Sequence, residues 1–138
     1  MSPERVYSGP IIDKFGVFPG ARVAVLGVED PEFRAALEAR TPDIADGAPR
    51  AGTDLIFLAA DTVAELAPIV ELQRTLKPNG AIWVVSRKGK AATLRDVDVI
   101  GAALAAGLVD NKVVAFSATH TALRVVIPRA RRPSTGRR

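Results

Sequence analysis

The sequence has no cysteine and only one histidine, His120. The chain therefore forms no disulfide and does no thiolate chemistry. No apolar run reaches the roughly 18 residues that a transmembrane helix needs, so we expect no membrane partner. The first ten residues, MSPERVYSGP, lack the apolar core of a signal peptide. These absences favour a cytoplasmic protein of bacterial type.

Aromatic residues are also scarce, at 5% of the 138 residues, whereas apolar residues make up 48%. A chain of this size holds one domain with a core and is too short for two. We therefore predict a single α/β domain over residues 1–128. No Walker loop, zinc spacing, EF-hand loop or nucleophile elbow occurs, so no metal site and no enzyme class is indicated by motif.

Basic charge is concentrated at the C-terminal end. The chain has 19 Lys and Arg against 15 Asp and Glu, and residues 129–138, RARRPSTGRR, hold five arginines and no acid. Such a segment buries too little apolar surface to order itself, so we predict a disordered Arg-rich tail. A nucleic-acid arm is the weaker alternative, because no aromatic side chain is interleaved for base stacking.

Short apolar runs alternate with amphipathic ones, which is the pattern of a parallel α/β sheet. Residues 40–53 are rich in Pro, Gly and Asp and are predicted to be a loop without a strand. Trp83, inside an apolar run, is expected to anchor the core. The predicted helices are 10–17, 30–39, 61–80 and 93–108, the predicted strands are 21–28, 54–60 and 81–86, and residues 111–128 form a terminal antiparallel hairpin.

The helix predicted for 93–108 has one apolar stripe that we expect to face the sheet. Gly101 lies on this stripe and would let the helix pack closely. The stripe consists of Leu94, Val97, Gly101, Leu104 and Leu108.

Several segments resemble successive landmarks of class I S-adenosylmethionine (SAM)-dependent methyltransferases, whose sheet ends in an antiparallel hairpin. These segments are PGARVAVLGV, TDLIFLAAD, LKPNGAIWVVS and GLVDNKVVAFS with ALRVVIP. From the Trp-containing strand through KGK to GLVDNKVVAFSATHTALR, the chain also resembles a family of small uncharacterised bacterial proteins, domain of unknown function 3052. The resemblance implies a truncated Rossmann-like, methyltransferase-like fold. This is a three-layer sandwich whose mainly parallel sheet ends in an antiparallel β-hairpin, with no assigned activity.

The sequence departs from these methyltransferases at the loop after the first strand. Their loop is rich in glycine, which lets the backbone approach the cofactor. Here Gly27 is followed by side chains, and Glu29 and Asp30 would repel an anion at the helix start. The acid expected about 20 residues later, to hold ribose hydroxyls, would be Asp43 or Asp46, but no strand is predicted to position either. We therefore expect no cofactor, with SAM binding only in a non-standard mode.

Ligands of open α/β sheets bind outside the carboxyl ends of the parallel strands. Three segments are predicted to reach that edge, and one of them is cationic around the flexible Gly89. A small anionic ligand could be held there; alternatively, the lysines are solvated and pair loosely with acids across the crevice. The candidate ligand-binding residues are Gly27, Glu29, Asp30, Arg87, Lys88 and Lys90.

No catalytic residue is assigned from the sequence. Glu29 with Asp30 could form a carboxylate pair for acid–base work, but capping a helix is the simpler role for Asp30 and for Asp61. His120 is predicted to lie in the hairpin turn, away from the crevice. That placement removes it from any metal site or Ser-His-Asp triad.

Two functional hypotheses follow from the degenerate cofactor loop. The first is a non-catalytic binding or interaction module. The alternative is a minimal SAM-dependent methyltransferase or nucleotide-binding enzyme that uses the side of the sheet carrying Lys88. A truncated sheet would also expose the edge of its first strand, and a second copy would cover it, so we predict a homodimer.

Overall fold

The computed structural model describes residues 11–131, which form one six-stranded sheet with helices on both faces. The strands are β1 (Val23–Leu26), β2 (Ile44–Asp46), β3 (Thr53–Ala59), β4 (Leu76–Arg87), β5 (Val109–Ala115) and β6 (His120–Val126). The helices are α1 (Ile11–Lys14), α2 (Pro31–Arg40), α3 (Ile69–Leu72) and α4 (Asp96–Ala105), with 3-10 turns at Ala64–Leu66, Gln73–Thr75, Gly89–Ala91 and Arg129–Arg131.

The strand order is β2-β1-β3-β4-β6-β5. The first four strands in this order are parallel, and β6 runs antiparallel to both β4 and β5. One apolar layer joins α1 and α2 to the sheet, and a second joins α3 and α4 to its other face. The predicted three-layer α/β fold with a terminal hairpin is confirmed.

Trp83 lies at the centre of the layer beneath α1, as expected for a core anchor. Its side chain is fully buried, and its indole Nε1 donates a hydrogen bond of 3.0 Å to the carbonyl of Phe15. A buried tryptophan with its one donor satisfied contributes apolar area without an unpaired polar group. This contact ties the start of the described chain to β4.

The segment 40–53 contains a strand, so the prediction of a loop without one is wrong. Ile44–Asp46 pairs in parallel with β1 and sets Asp46 opposite Val25. A strand of three residues is too short to show a two-residue period, so no pattern in the sequence indicates it. Within residues 11–131 the edge strands are thus β2 and β5, so the exposed first-strand edge that motivated the homodimer is covered.

The long helix predicted for 61–80 is broken into short turns. Only Ile69–Leu72 is α-helical, and the chain is already extended from Leu76. Pro68 precedes the short helix and lacks the N–H that would continue an earlier one. Gly80 therefore lies within β4 rather than at a helix end. A Cβ there would be 2.9 Å from the carbonyl oxygen of Asp54, so glycine permits the close approach of β3.

Helix α4 presents a different face to the sheet from the one predicted. Val99 and Ala103 are its buried residues, whereas Val97 and Leu104 are each 60% exposed. Gly101 is also exposed, and a Cβ there would meet nothing within 4 Å. The error arises because the apolar residues at the two ends of the predicted stripe lie outside the helix and do not share its phase. Those residues are Leu94 and Leu108, both buried.

The first part of the predicted Arg-rich tail is a 3-10 turn over Arg129–Arg131. Arg131 Nη1 donates to the carbonyl of Gly107 and, at 3.3 Å, to Gln73 Oε1. Residues 1–10 and 132–138 lie outside the described residues. Within the described part, no helix is both long and apolar enough to span a bilayer.

Candidate functional site

A cleft of about 350 Å³ opens at the carboxyl edge of the parallel strands. Ligand sites of α/β sheets occur at this edge. Each strand around the cleft delivers polar side chains to it. They are Glu29 and Asp30 after β1, Asp61 after β3, and Arg87 and His120 from the paired ends of β4 and β6; Gly27 lines the cleft through its backbone.

The loop after β1 turns sharply at Gly27. This glycine has φ +79°, a conformation that side chains disfavour, and a Cβ there would lie 3.4 Å from the Ala59 Cβ. Asp30 then caps α2, because its Oδ1 accepts a hydrogen bond of 3.0 Å from the backbone N–H of Phe33. The loop is therefore fixed at both ends, and Glu29 between them is exposed.

Asp61 links the ends of β3 and β4. Its Oδ1 accepts a hydrogen bond of 2.9 Å from the backbone N–H of Arg87, and its Oδ2 lies 4.0 Å from Arg87 Nε. The predicted capping role is filled by Thr62 instead, whose Oγ1 accepts from the N–H of Glu65 at 3.2 Å. The Asp61 carboxylate is thus held at the cleft wall, although this arrangement gave no signal in the sequence.

His120 lines the cleft, contrary to the prediction that it lies away from it. It is the first residue of β6 and pairs with Arg87, the last residue of β4. Because β6 is antiparallel, it begins at the edge where the parallel strands end. The ring Nδ1 is 2.8 Å from Thr119 Oγ1, and the backbone N–H donates to Ser117 Oγ at 3.1 Å. Among residues 11–131, no three His, Asp or Glu side chains converge as metal ligands would.

A second cavity, of about 370 Å³, lies beside the cleft and is basic. It is lined by Arg87, Lys88, Thr119 and His120, together with two alanines. Lys90 lines neither this cavity nor the cleft, and its side chain is exposed on the turn Gly89–Ala91. The structure therefore brings five of the six candidate residues to the cleft or the basic cavity and leaves Lys90 outside both.

A third cavity, of about 520 Å³, lies across the loop from the cleft, and Asp46 lines it with Glu29, Asp30 and Arg34. Arg34 contacts both carboxylate oxygens of Asp46, at 2.6 and 3.0 Å. The hydrogen bonds from Arg34 hold the pKa of Asp46 below its usual value. Asp46 was a candidate for the acid that holds ribose hydroxyls, but no strand was predicted to position it. β2 provides that strand.

Comparison with solved structures identifies the fold. A SAM-dependent methyltransferase from Aquifex aeolicus superposes with TM-score 0.62 and 14% identity, over 86% of this chain and 88% of that one. Magnesium protoporphyrin IX methyltransferase from Synechocystis PCC 6803, solved with bound SAM, gives TM-score 0.58 and 13% identity, over 86% and 75%. The chain has the methyltransferase-like Rossmann fold. It spans only 49% of the mitomycin 7-O-methyltransferase MmcR, at TM-score 0.59, 11% identity and 79% of this chain.

No family model and no curated protein matches the chain. The resemblance to domain of unknown function 3052 is therefore unsupported, whereas the more distant resemblance to methyltransferases is supported in fold.

The methyltransferase-like neighbours also correct two expectations. The prediction of no cofactor, with SAM only in a non-standard mode, is contradicted because the neighbours depend on SAM and one holds it. The hypothesis of a non-catalytic module gains nothing from them, and the alternative of a SAM-dependent methyltransferase fits them better.

Proposed function

We propose that this chain binds SAM at the loop after β1 and acts as a SAM-dependent methyltransferase. The observation that carries the proposal is the position of Asp46, at the carboxyl end of β2 and beside the loop that begins at Gly27. An acid at the end of the second strand, about 20 residues after the loop glycine, is the group that holds ribose hydroxyls in dinucleotide-binding α/β folds. The lack of a predicted strand to position this acid was one of the two arguments against a cofactor; the other was the side chains that replace glycines after Gly27.

The Asp46 carboxylate has capacity for a ribose. A carboxylate offers about four lone-pair sites, and Arg34 uses one on each oxygen. An aspartate is ionised at neutral pH at its ordinary pKa, and Arg34 lowers the pKa of Asp46 further, so the carboxylate accepts hydrogen bonds from hydroxyls. Arg34 thus fixes the position of the acid without saturating it.

The cleft on the other side of Gly27 suits the amino-acid end of SAM. That end carries an ammonium, a carboxylate and the sulfonium, so it needs both acidic and basic partners. The cleft supplies acids at Glu29 and Asp61 and a guanidinium at Arg87. Glu29, which would repel a phosphate, is suited to a cation. When bound, SAM supplies an electrophilic methyl group, and these residues bind and orient it.

Titration calorimetry with SAM tests the cofactor site, using two variants that each remove a carboxylate partner of Arg34. Asp46→Asn is expected to weaken SAM binding about tenfold or more, because hydrogen bonds to a charged group contribute about 1.5–3 kcal/mol. Glu38→Gln removes the other carboxylate, which lies 2.8 Å from Arg34 Nε and outside the cavity. We expect this variant to bind within about twofold of the native chain.

Two results would contradict the cofactor site. The first is the absence of saturable heat with SAM at millimolar concentration. The second is equal affinity of the Asp46→Asn and Glu38→Gln variants, which would place SAM away from β2. The transfer itself is measured as release of S-adenosylhomocysteine in the presence of a panel of acceptors. If the chain binds SAM but methylates nothing in a broad panel, SAM binding stands and the methyltransferase activity is contradicted.

A further inference from the structure

We propose that the methyl acceptor carries an anionic group and that the basic cavity lined by Arg87, Lys88, Thr119 and His120 binds that group. This inference rests on the proposed function and names the substrate class for the same site. It follows from how the two cavities meet, how charge is divided between them, and how the wall between them is built.

The cleft and the basic cavity share one wall. Arg87, Thr119 and His120 line both of them. A cofactor in the cleft and a second molecule in the basic cavity would therefore meet along these three residues. Transfer between two bound molecules requires such a shared boundary, since the reacting atoms must approach to about 3–3.5 Å.

The charges of the two cavities are opposite in sign. Glu29, Asp30 and Asp61 line the cleft, whereas no acid is found among the described residues that line the basic cavity. Arg87 and Lys88 supply its positive charge. SAM carries a net positive charge, so the acidic side suits the cofactor. An acceptor with a charge opposite to that of SAM suits the basic cavity, because complementary electrostatic potentials favour the correct ligand in each cavity.

The shared wall is made of paired strand ends. Arg87 and His120 are partners in the β4–β6 ladder, and the Lys88 backbone N–H donates to the Thr119 carbonyl at 3.0 Å. Ser117 Oγ accepts from the N–H groups of Thr119 and His120, at 3.2 and 3.1 Å. Groups held on paired strands are more precisely placed than groups on a free loop.

Arg87 retains donors for an anion. Its side chain is 61% exposed, and Nε lies 4.0 Å from Asp61 Oδ2, the outer limit of an ion pair. A guanidinium carries five N–H donors in a planar fork that matches carboxylate and phosphate oxygens. At 4.0 Å the contact with Asp61 is too long to be a hydrogen bond, so it leaves the guanidinium donors for an anion.

NMR with small probes tests the acceptor class on the chain without SAM. Phenyl phosphate and benzoate are the anionic probes, and benzyl alcohol is the neutral control of similar size. His120 is the only histidine, so its imidazole signal reports on the shared wall without ambiguity in a tag-free sample. We expect both anions, or one of them, to shift this signal and the amides of Lys88 and Thr119 at millimolar concentration, and benzyl alcohol to shift none. The probe that binds more tightly identifies the anionic group of the acceptor as a phosphate or a carboxylate.

Two lysine variants provide the matched control. Lys88→Gln removes a cation that lines the basic cavity, and we expect it to weaken the anionic probe about fivefold. Lys90→Gln removes the same charge two residues away, outside the cavity, and is expected to change affinity less than about twofold. Equal effects of the two variants, or probe-induced shifts confined to Arg129–Arg131, would overturn the inference.

A second measurement separates the inference from the function on which it rests. The anion should bind about fivefold or more tightly with SAM present than with S-adenosylhomocysteine, because only SAM carries the sulfonium charge. If SAM perturbs no resonance, the proposed function fails. If SAM and S-adenosylhomocysteine both bind and the anionic probe binds equally with either, the function stands and the acceptor inference fails.

Discussion

The Trp83→Ala variant is expected to lose about 3–5 kcal/mol of unfolding free energy, the loss typical of truncating a buried aromatic residue. The Trp83 side chain is fully buried, and its ring packs edge-on against Phe15 with centroids 5.0 Å apart. The variant also removes the donor to the Phe15 carbonyl. Since the total unfolding free energy of small domains is about 5–15 kcal/mol, this one change removes a large share of it.

Guanidinium unfolding followed by far-UV circular dichroism measures the loss. Trp83→Phe is the control, because it keeps an aromatic ring while it removes the indole donor and the volume of the second ring. We expect this control to lose about 1–3 kcal/mol, since a buried acceptor is left unpaired but most of the apolar packing remains. An unfolding free energy for Trp83→Ala within about 0.5 kcal/mol of the native value would show that the contact between α1 and β4 is not part of the stable core.

The predicted parts of the fold are those with strong local signals. The buried strands β1, β3 and β4 each contain a continuous apolar run, which parallel strands produce because both faces are covered. The start of α2 was evident from Asp30 followed by proline, and the observed cap has this form. In each case the signal lies in a few neighbouring residues.

The missed features depend on the rest of the chain. β2 has three residues and is a strand because β1 offers an open edge. His120 lies at the cleft because β6 is antiparallel to β4, so the first residue of β6 lies at the edge where the parallel strands end. The hairpin was predicted, so the position of His120 could have been deduced from it, whereas the bond from Arg87 to Asp61 could not.

The charge assumed for the ligand also decides how the acids of the candidate site are interpreted. Glu29 and Asp30 were taken as repelling an anion at the start of a helix. For a ligand that carries a sulfonium and an ammonium, the same acids are favourable partners. The sequence located these residues at the correct edge, but their meaning depended on the cavity that they share with Asp61.

Two leucines on one predicted stripe provide the sharpest test of the revised face of α4. Leu108 is fully buried, and Leu104, four residues earlier, is 60% exposed. Leu108→Ala is expected to lower the unfolding free energy by about 2–5 kcal/mol, because it leaves a cavity in the layer between helices and sheet. Leu104→Ala should change it by less than about 0.5 kcal/mol. The predicted stripe would have made the two losses similar.

The comparison also bears on the homodimer, which remains a prediction. Guanidinium unfolding of both variants at low and at high micromolar protein concentration separates the cases. If Leu104→Ala is neutral at both concentrations, its side chain is exposed in solution as it is in the structure. If its loss grows with protein concentration, a second copy covers α4, because dimer stability depends on protomer concentration and monomer stability does not. A large loss that is independent of concentration would contradict the observed orientation of α4.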